Sequence, residues 1–545
     1  MRITWSSNTM LPESSSRNVA QERAFQSRHQ MMSSDGHGQD RVGMRGGLFM
    51  PGELINQRGL IFVGLLFAAS VVPVLSVEIP AMIDYVNHLA RMHLLVDAAA
   101  GRPNPAYEIN WRLYPNLAVD IIVPVVARFV SVETAARLFL IASQTLVVSG
   151  AIALELKVRG RHQLSGFAAL IALYSLPFLW GLANWEFGCG VALWAIVFWI
   201  HFRGGPWFFW IGLHTCFFIM LFFAHFFALG IYGLTIGCYE ASQIRGYRQA
   251  ARTFVVMAFP AVAAYLFLVW SGGAPEQPVF TWWFGLKLIW PLLVMNCYNL
   301  PLSIALGVSI AGLLVFLGYN RILGLTRPAV FIGSGFLVVY LLMPARLFGS
   351  AYADVRLIPA IMLILPAFLT VHWPSAAVRS AAALVAVSII LINAATVASI
   401  WSAYRSDYAD IITSFRLLRA NSTILVARSD VEAGGINAPM FYAPTLAVHY
   451  ATAFVPSLYT LSGQQPVRKS ASKSAFEIED ALDYLPTTIS QLNNASSGGV
   501  VPNHIRRWRT DYDYLYIVGD QTANIPDQLT SMVRSRRFTL YAIGK

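Results

Sequence analysis

At 545 residues, 56% of them hydrophobic and only 12% charged, with a mean hydropathy of +0.55, the chain has more apolar surface than a water-facing exterior can accept. That excludes a soluble protein and makes lipid part of its solvent. The net charge of +11 is no nucleic-acid signature, because Lys and Arg lie mostly in the N-terminal tail and in loops between apolar runs, where they act as topology signals.

Residues 1–58 are polar, rich in Ser, Gln, Arg, Gly and Met, and without apolar period, which predicts a disordered cytoplasmic tail. The first apolar run, Leu60 to Leu75, starts too late for a cleavable signal peptide and is expected to remain as an uncleaved helix. Repeated runs of about 16 to 25 apolar residues then match helices crossing a hydrocarbon layer of roughly 30 Å. They do not alternate as outer-membrane strands would. Arg41, Arg45 and Arg58 hold the tail inside, so the first span delivers Ile79-Pro80-Ala81-Met82-Ile83-Asp84-Tyr85-Val86-Asn87-His88 to the outer face. On a helix Asp84 and His88, four apart, share a side.

A long outer loop, 80–132, follows, with two expected interfacial helices at 84–100 and 115–130. Glu133–Leu156 returns the chain to Lys157, Arg159 and Arg161. Leu164–Trp180 goes out and Phe187–Phe202 comes back to Arg203. The stretch Pro206–Tyr239 sets the parity of everything after it. Two short helices turning near Phe223-Ala224-His225 keep Arg245, Arg248 and Arg252 inside, whereas one long helix would expose them. With Phe254–Trp270, an interfacial helix near Phe284–Tyr298, Leu300–Gly318, Ala329–Met343, Leu357–Val371 and Ala376–Trp401, the count is about eleven spans.

Residues 59–402 thus form the transmembrane part, and 403–545 a small extracytoplasmic α/β domain with strand-like runs at 423–427, 514–518 and 538–543. Cys189, Cys216, Cys238 and Cys297 lie in or beside apolar runs and read as packing residues; they form no disulfide framework or thiolate metal motif.

This topology gathers scattered polar groups on the outer face: Asp84, His88 and His93 after the first span, Asn184-Trp185-Glu186, His225, Lys287, and Arg346, Asp354 and Arg356. An ionisable group at membrane depth is a functional hypothesis by default. Arg356 beside a span suits a lipid phosphate, with Arg346 and Lys287 as further candidates. Aromatics at Trp180–Trp185 and Trp282–Trp283 suit either an interfacial belt or stacking on sugar faces.

A first span ending in Asp84-Tyr85, a long first outer loop with two interfacial helices, about eleven spans and a C-terminal extracytoplasmic domain resemble the GT-C fold glycosyltransferases. These membrane enzymes use polyprenyl-phosphate sugars, among them protein O-mannosyltransferases and the aminoarabinose transferases of lipid A. The resemblance covers most of the chain from residue 60. It implies that Asp84 is the catalytic base of an inverting transfer from a polyprenyl-phosphate-linked sugar to a glycan, lipid or protein acceptor. It also implies a bacterial inner-membrane enzyme with a periplasmic C-terminal domain. Where the family often carries Asp-Glu, this chain has Asp84-Tyr85, which leaves the subfamily and metal use open. His88, Glu186 and His225 are candidates for orienting the acceptor or for ligating a divalent ion with Asp84. The competing reading is a polytopic transporter or lipid flippase, which would usually show a pseudo-repeat and charges at mid-membrane; a third is a membrane anchor presenting the C-terminal domain to a partner.

Overall fold

The computed structural model describes residues 57–203, 205–270, 280–295, 298–347, 350–430, 438–461, 464–478, 484–519 and 525–544. The expected disordered tail up to residue 56, most of the 271–285 loop and Cys297 lie outside the described residues. The described chain opens with α1 (Gln57–Ser76), α2 (Ile83–Ala99), β1 (Tyr107–Ile109), α3 (Ala118–Val126) and α4 (Val132–Arg159). It continues through α5 (Ser165–Ala172), α6 (Leu176–Leu179), α7 (Ala183–Phe202), α8 (Trp207–Ala224), α9 (Phe226–Gln243) and α10 (Tyr247–Trp270). The remaining membrane-type helices are at Leu300–Tyr319, Arg327–Leu342, Leu357–Ile364 and Ala376–Ala403.

Six helical stretches among the described residues are long and apolar enough to cross a membrane by length and composition, which makes the chain a polytopic helical membrane protein. Two shorter apolar helices, Arg327–Leu342 and Leu357–Phe368, lie over further expected spans. The third expected span is broken into α5 and α6 around Ser175 and Pro177. A count of about eleven crossings is therefore an inference from loop charge, not from helix length.

Local chemistry explains the helix ends. The Ser131 side chain accepts from Thr134 N to start α4, Lys157 and Arg159 complement its C-terminal dipole, and Gly160 closes it at φ 71°. Helices α4 and α7 then approach closely, because a Cβ on Gly150 would lie 2.8 Å from Leu193 Cβ and one on Gly190 only 2.6 Å from Leu146 Cβ. The break expected near Phe223–His225 falls at His225, whose extended backbone (φ −166°) ends α8 while its Nδ1 accepts from Phe227 N to start α9.

The helices expected at 84–100 and 115–130 are α2 and α3, and the helix expected near Phe284–Tyr298 is two single turns, Phe284–Lys287 and Trp290–Leu293. Beyond residue 403 a five-stranded mixed sheet forms in the order Thr487–Thr488, Ile424–Arg428, Tyr514–Val518, Phe538–Ile543, Leu529–Arg534. Strand alternation divides its residues between two cores. Leu425, Ala427, Leu515, Ile517, Tyr541 and Ile543 pack with Ile489, Leu492 and Trp508 in a core of their own. Ile424, Val426, Tyr514, Tyr516, Phe538 and Leu540 belong instead to the core shared with the membrane helices. A second junction pairs β1 with Val467–Lys469. The expected α/β region therefore has its own core on one face and continues into the rest of the fold on the other.

Candidate functional site

The site is built around the first two turns of α2. Asp84 N donates to Trp180 O at 2.8 Å, which pins the start of α2 to the loop after α6. That loop turns at Gly181 with φ 94°, where a Cβ would come within 2.5 Å of Tyr85 N and 3.0 Å of Asp84 N. Gly181→Ala is accordingly expected to cost at least about 2 kcal/mol from backbone strain and contact, and to displace Asp84. Thermal unfolding of the detergent-purified protein, with activity measured in parallel, checks this.

Along α2, Tyr85, Val86, Asn87, Leu89, Ala90 and Arg91 are buried, whereas Asp84 and His88 keep partial solvent access. The carboxylate is enclosed by protein but not sealed. Burial raises its pKa to about 6 against the pull of Arg356 first and Arg91 second. It is thus a carboxylate that is ionised at neutral pH and able to take a proton.

Arg356 faces it. This residue is 5% exposed and caps the start of Leu357–Ile364. Its Nη2 donates to Ser350 Oγ at 2.8 Å and Ala351 O at 3.1 Å, and its guanidinium lies 4.6 Å from the centre of the Phe227 ring. Its Nε is buried with no hydrogen-bond partner among the described residues. Burial lowers the pKa of Arg356 to about 10, with Asp84 the strongest opposing influence, so the charge persists at neutral pH. His225, buried at the α8–α9 break, has Arg356 and His88 as electrostatic neighbours. Glu186, in the first turn of α7, is 2% exposed and its Oε1 has no partner among the described residues. Gly188 allows α7 to pass beside His225, since a Cβ there would lie 3.0 Å from His225 Cβ.

Several groups holding this arrangement carry no local sequence signal. Arg91 and Asp120 form a buried two-pronged pair at 2.6 and 3.0 Å, and Arg91 Nη2 also donates to His88 Nδ1 at 3.0 Å. Asn116, at φ 64°, accepts from Phe226 N through its side chain and from Asn184 Nδ2 through its carbonyl, while Asn184 Oδ1 accepts from Val119 N. The segment that opens α3 is thereby stitched to the starts of α7 and α9.

The C-terminal region closes over α2. Asn87 Oδ1 accepts from Tyr459 N at 2.9 Å, and Asn104 donates to Val448 O and Ala453 O. His93 and His449 stack at 4.0 Å, the first bonded to Glu133 and the second to Asp97. Tyr442 and Tyr459 both lie within the electrostatic influence of Asp84. An alternating strand pattern could not reveal that these two tyrosines border the acid.

Other sequence candidates are placed differently. All three donors of Lys287 are engaged, with Asp354 Oδ2 at 2.7 Å, Tyr340 O at 2.9 Å and Met343 O at 2.8 Å. It clamps the segment before Arg356 and has no donor left for a ligand phosphate. Lys287→Met, by stranding the fully buried Asp354, is expected to cost about 3–5 kcal/mol, most of it recovered in Lys287→Met/Asp354→Leu; melting temperatures in detergent test this. Arg346 is buried and held by a backbone bridge to Thr281. The arginines acting on Asp84 are Arg356 and Arg91.

His93 belongs to the stacked pair below the C-terminal region. Trp180 and Trp283 converge on Tyr352 at 4.5 and 5.4 Å, while Trp185 is fully buried and Trp282 is half exposed. Among the described residues, no three His, Cys, Asp or Glu side chains gather in a metal-ligand cluster.

No family model matches the chain, and no curated protein sequence matches it. Among solved structures it is similar to ArnT from Cupriavidus metallidurans bound to undecaprenyl phosphate, at 14% identity over 90% of this chain and 99% of that chain, with a TM-score of 0.46. The apo structure of the same protein gives 13% identity, 89% and 98% coverage and a TM-score of 0.47.

Proposed function

We propose that the chain is an inverting membrane glycosyltransferase that moves a sugar from a polyprenyl-phosphate donor to an acceptor hydroxyl on the extracytoplasmic side. Asp84 is the general base, taking the hydroxyl proton as that oxygen attacks the anomeric carbon. Arg356 holds the phosphate that departs. A single carboxylate acting as base suits inversion, because retention requires a second carboxylate as nucleophile. The observation that carries the reading is the pairing of a reachable Asp84 with a buried guanidinium whose Nε has no partner among the described residues, both at helix ends.

The position of the groups favours an enzyme over a transporter or flippase. Asp84 and Glu186 sit in first helical turns, His225 at a break and Arg356 at a helix start. The opposite helix ends carry Arg159, Arg203, Arg245, Arg321, Arg327 and Arg379. We read the basic ends as cytoplasmic, which puts the site and the C-terminal region outside, with about eleven crossings in a bacterial inner membrane. A flippase would place its charges near mid-membrane. We assign Glu186 and His225 to the acceptor approach.

The test is turnover of labelled polyprenyl-phosphate sugars by the purified full-length chain in nanodiscs. A transferase releases free polyprenyl phosphate and labels an acceptor. Movement of intact donor across a vesicle membrane, without cleavage of the sugar–phosphate bond, would overturn the reading. Activity is expected to rise with pH through about 6, because the base works only when ionised, and to be lost as pH falls through that value.

A further inference from the structure

We infer that Arg91 and Asp120 fix His88 as a neutral imidazole that donates only through Nε2, and that this N–H addresses an oxygen of the bound donor beside Asp84. The ligand class rests on the transferase reading; the state of the imidazole does not.

Asp120 is 1% exposed and grips Arg91 with both oxygens, to Nε at 2.6 Å and Nη2 at 3.0 Å, which sets the plane of the guanidinium. The same Nη2 lies 3.0 Å from His88 Nδ1. A guanidinium has no lone pair to offer, so Nδ1 must be the accepting nitrogen and the ring proton must sit on Nε2. A second proton would have to occupy the nitrogen already facing Arg91, next to a positive charge and inside an enclosed site. Both effects push the imidazole pKa down to about 3. His88 is therefore neither a general base through Nδ1 nor a histidinium at any pH where Asp84 is ionised.

That leaves Nε2 as the donating nitrogen. His88 follows Asp84 by one helical turn on the same side of α2, and both have solvent access on an otherwise buried stretch. His88 acts electrostatically on His225, as does Arg356. The titratable and charged groups linked to it are Arg91, bonded to Nδ1, His225, and Asp84 one turn before it on α2. A neutral N–H there can bond a phosphate ester oxygen or a sugar hydroxyl without burying another charge. Arg91 and Asp120 are positioning residues that act through His88.

Two measurements decide it. In 15N spectra of the full-length protein labelled on histidine and reconstituted in nanodiscs, the signal absent from His88→Gln is expected to be a neutral Nε2–H ring from pH 5.5 to 8. An imidazolium or an Nδ1–H ring in that range would overturn the inference. In Asp120→Asn the signal is expected to divide between tautomers, which a purely packing role for Asp120 would not cause. The second measurement is binding of a polyprenyl monophosphate and of a polyprenyl-phosphate hexose.

His88→Phe should weaken at least one probe by about tenfold, and His88→Gln, whose amide N–H reaches a similar point, should restore it to within about threefold. Weakening of both probes places the contact on the phosphate, and weakening of the glycosylated probe alone places it on the sugar. Unchanged binding in His88→Phe, or equal loss in both variants, would overturn the ligand contact. Turnover by the unsubstituted protein serves as the separate control: failure to cleave the sugar–phosphate bond of the donor removes the transferase reading and leaves the tautomer result standing.

Discussion

Asp84→Asn is expected to lower sugar transfer by about a thousandfold or more while leaving the protein inserted and folded, because a carboxamide cannot take the acceptor's proton. The stability side of this expectation has a definite sign. Asp84 titrates near 6 in the fold against an ordinary value of 3.8, so burial disfavours its ionised form. That penalty is absent below about pH 3.8, grows as pH rises, and is fully present above 6, where it amounts to up to about 3 kcal/mol. Asparagine removes the charge at similar volume, so the melting temperature at pH 8 should hold or rise. Lost turnover with an unchanged melting curve is then a statement about chemistry. Full activity in this variant would remove Asp84 as the base.

The second large effect is at Arg356. Arg356→Ala should weaken polyprenyl-phosphate donor binding by about a hundredfold, since charge-assisted hydrogen bonds are worth roughly 1.5–3 kcal/mol each. Arg356→Lys should cost nearer tenfold. Lysine keeps the charge but loses the planar face over Phe227 and the fork that donates to Ser350 and Ala351 while leaving Nε for a ligand. Equal behaviour of the two variants would count against a phosphate contact. An independent readout follows from the electrostatics: Arg356 is the main influence lowering the Asp84 pKa, so in Arg356→Ala the acid limb of the pH profile should move above 6. In Arg356→Lys it should stay near the wild-type position. A merely structural arginine would destabilise the fold without moving that limb.

Arg356 also shows how differently two cations before an apolar helix can be employed. Lys287 and Arg356 look alike in sequence, each a lone positive charge at the edge of a span. Lys287 has all three donors committed to Asp354, Tyr340 and Met343, whereas Arg356 keeps a buried donor with no partner among the described residues. A sequence reports the charge but not how many of its hydrogen bonds are already made. The acid at Asp84 was legible because position alone, just beyond a first span, singled it out.

The amino-acid order by itself determined the membrane class, the helical runs, the break at His225, the strands at 514–518 and 538–543, and the place of Asp84 at the head of α2. Each of these follows from local quantities: apolar run length, alternation, and charges next to helix ends. Only the tertiary structure decided that Arg91 reaches Asp120, that Asn116 and Asn184 join three helices, and that Tyr459 docks on Asn87. Asn87 and Tyr459 are 372 positions apart, and no periodicity links residues at such a separation. Their meeting is set by how whole elements pack, and a buried polar side chain must find its partner there or bear the cost of having none.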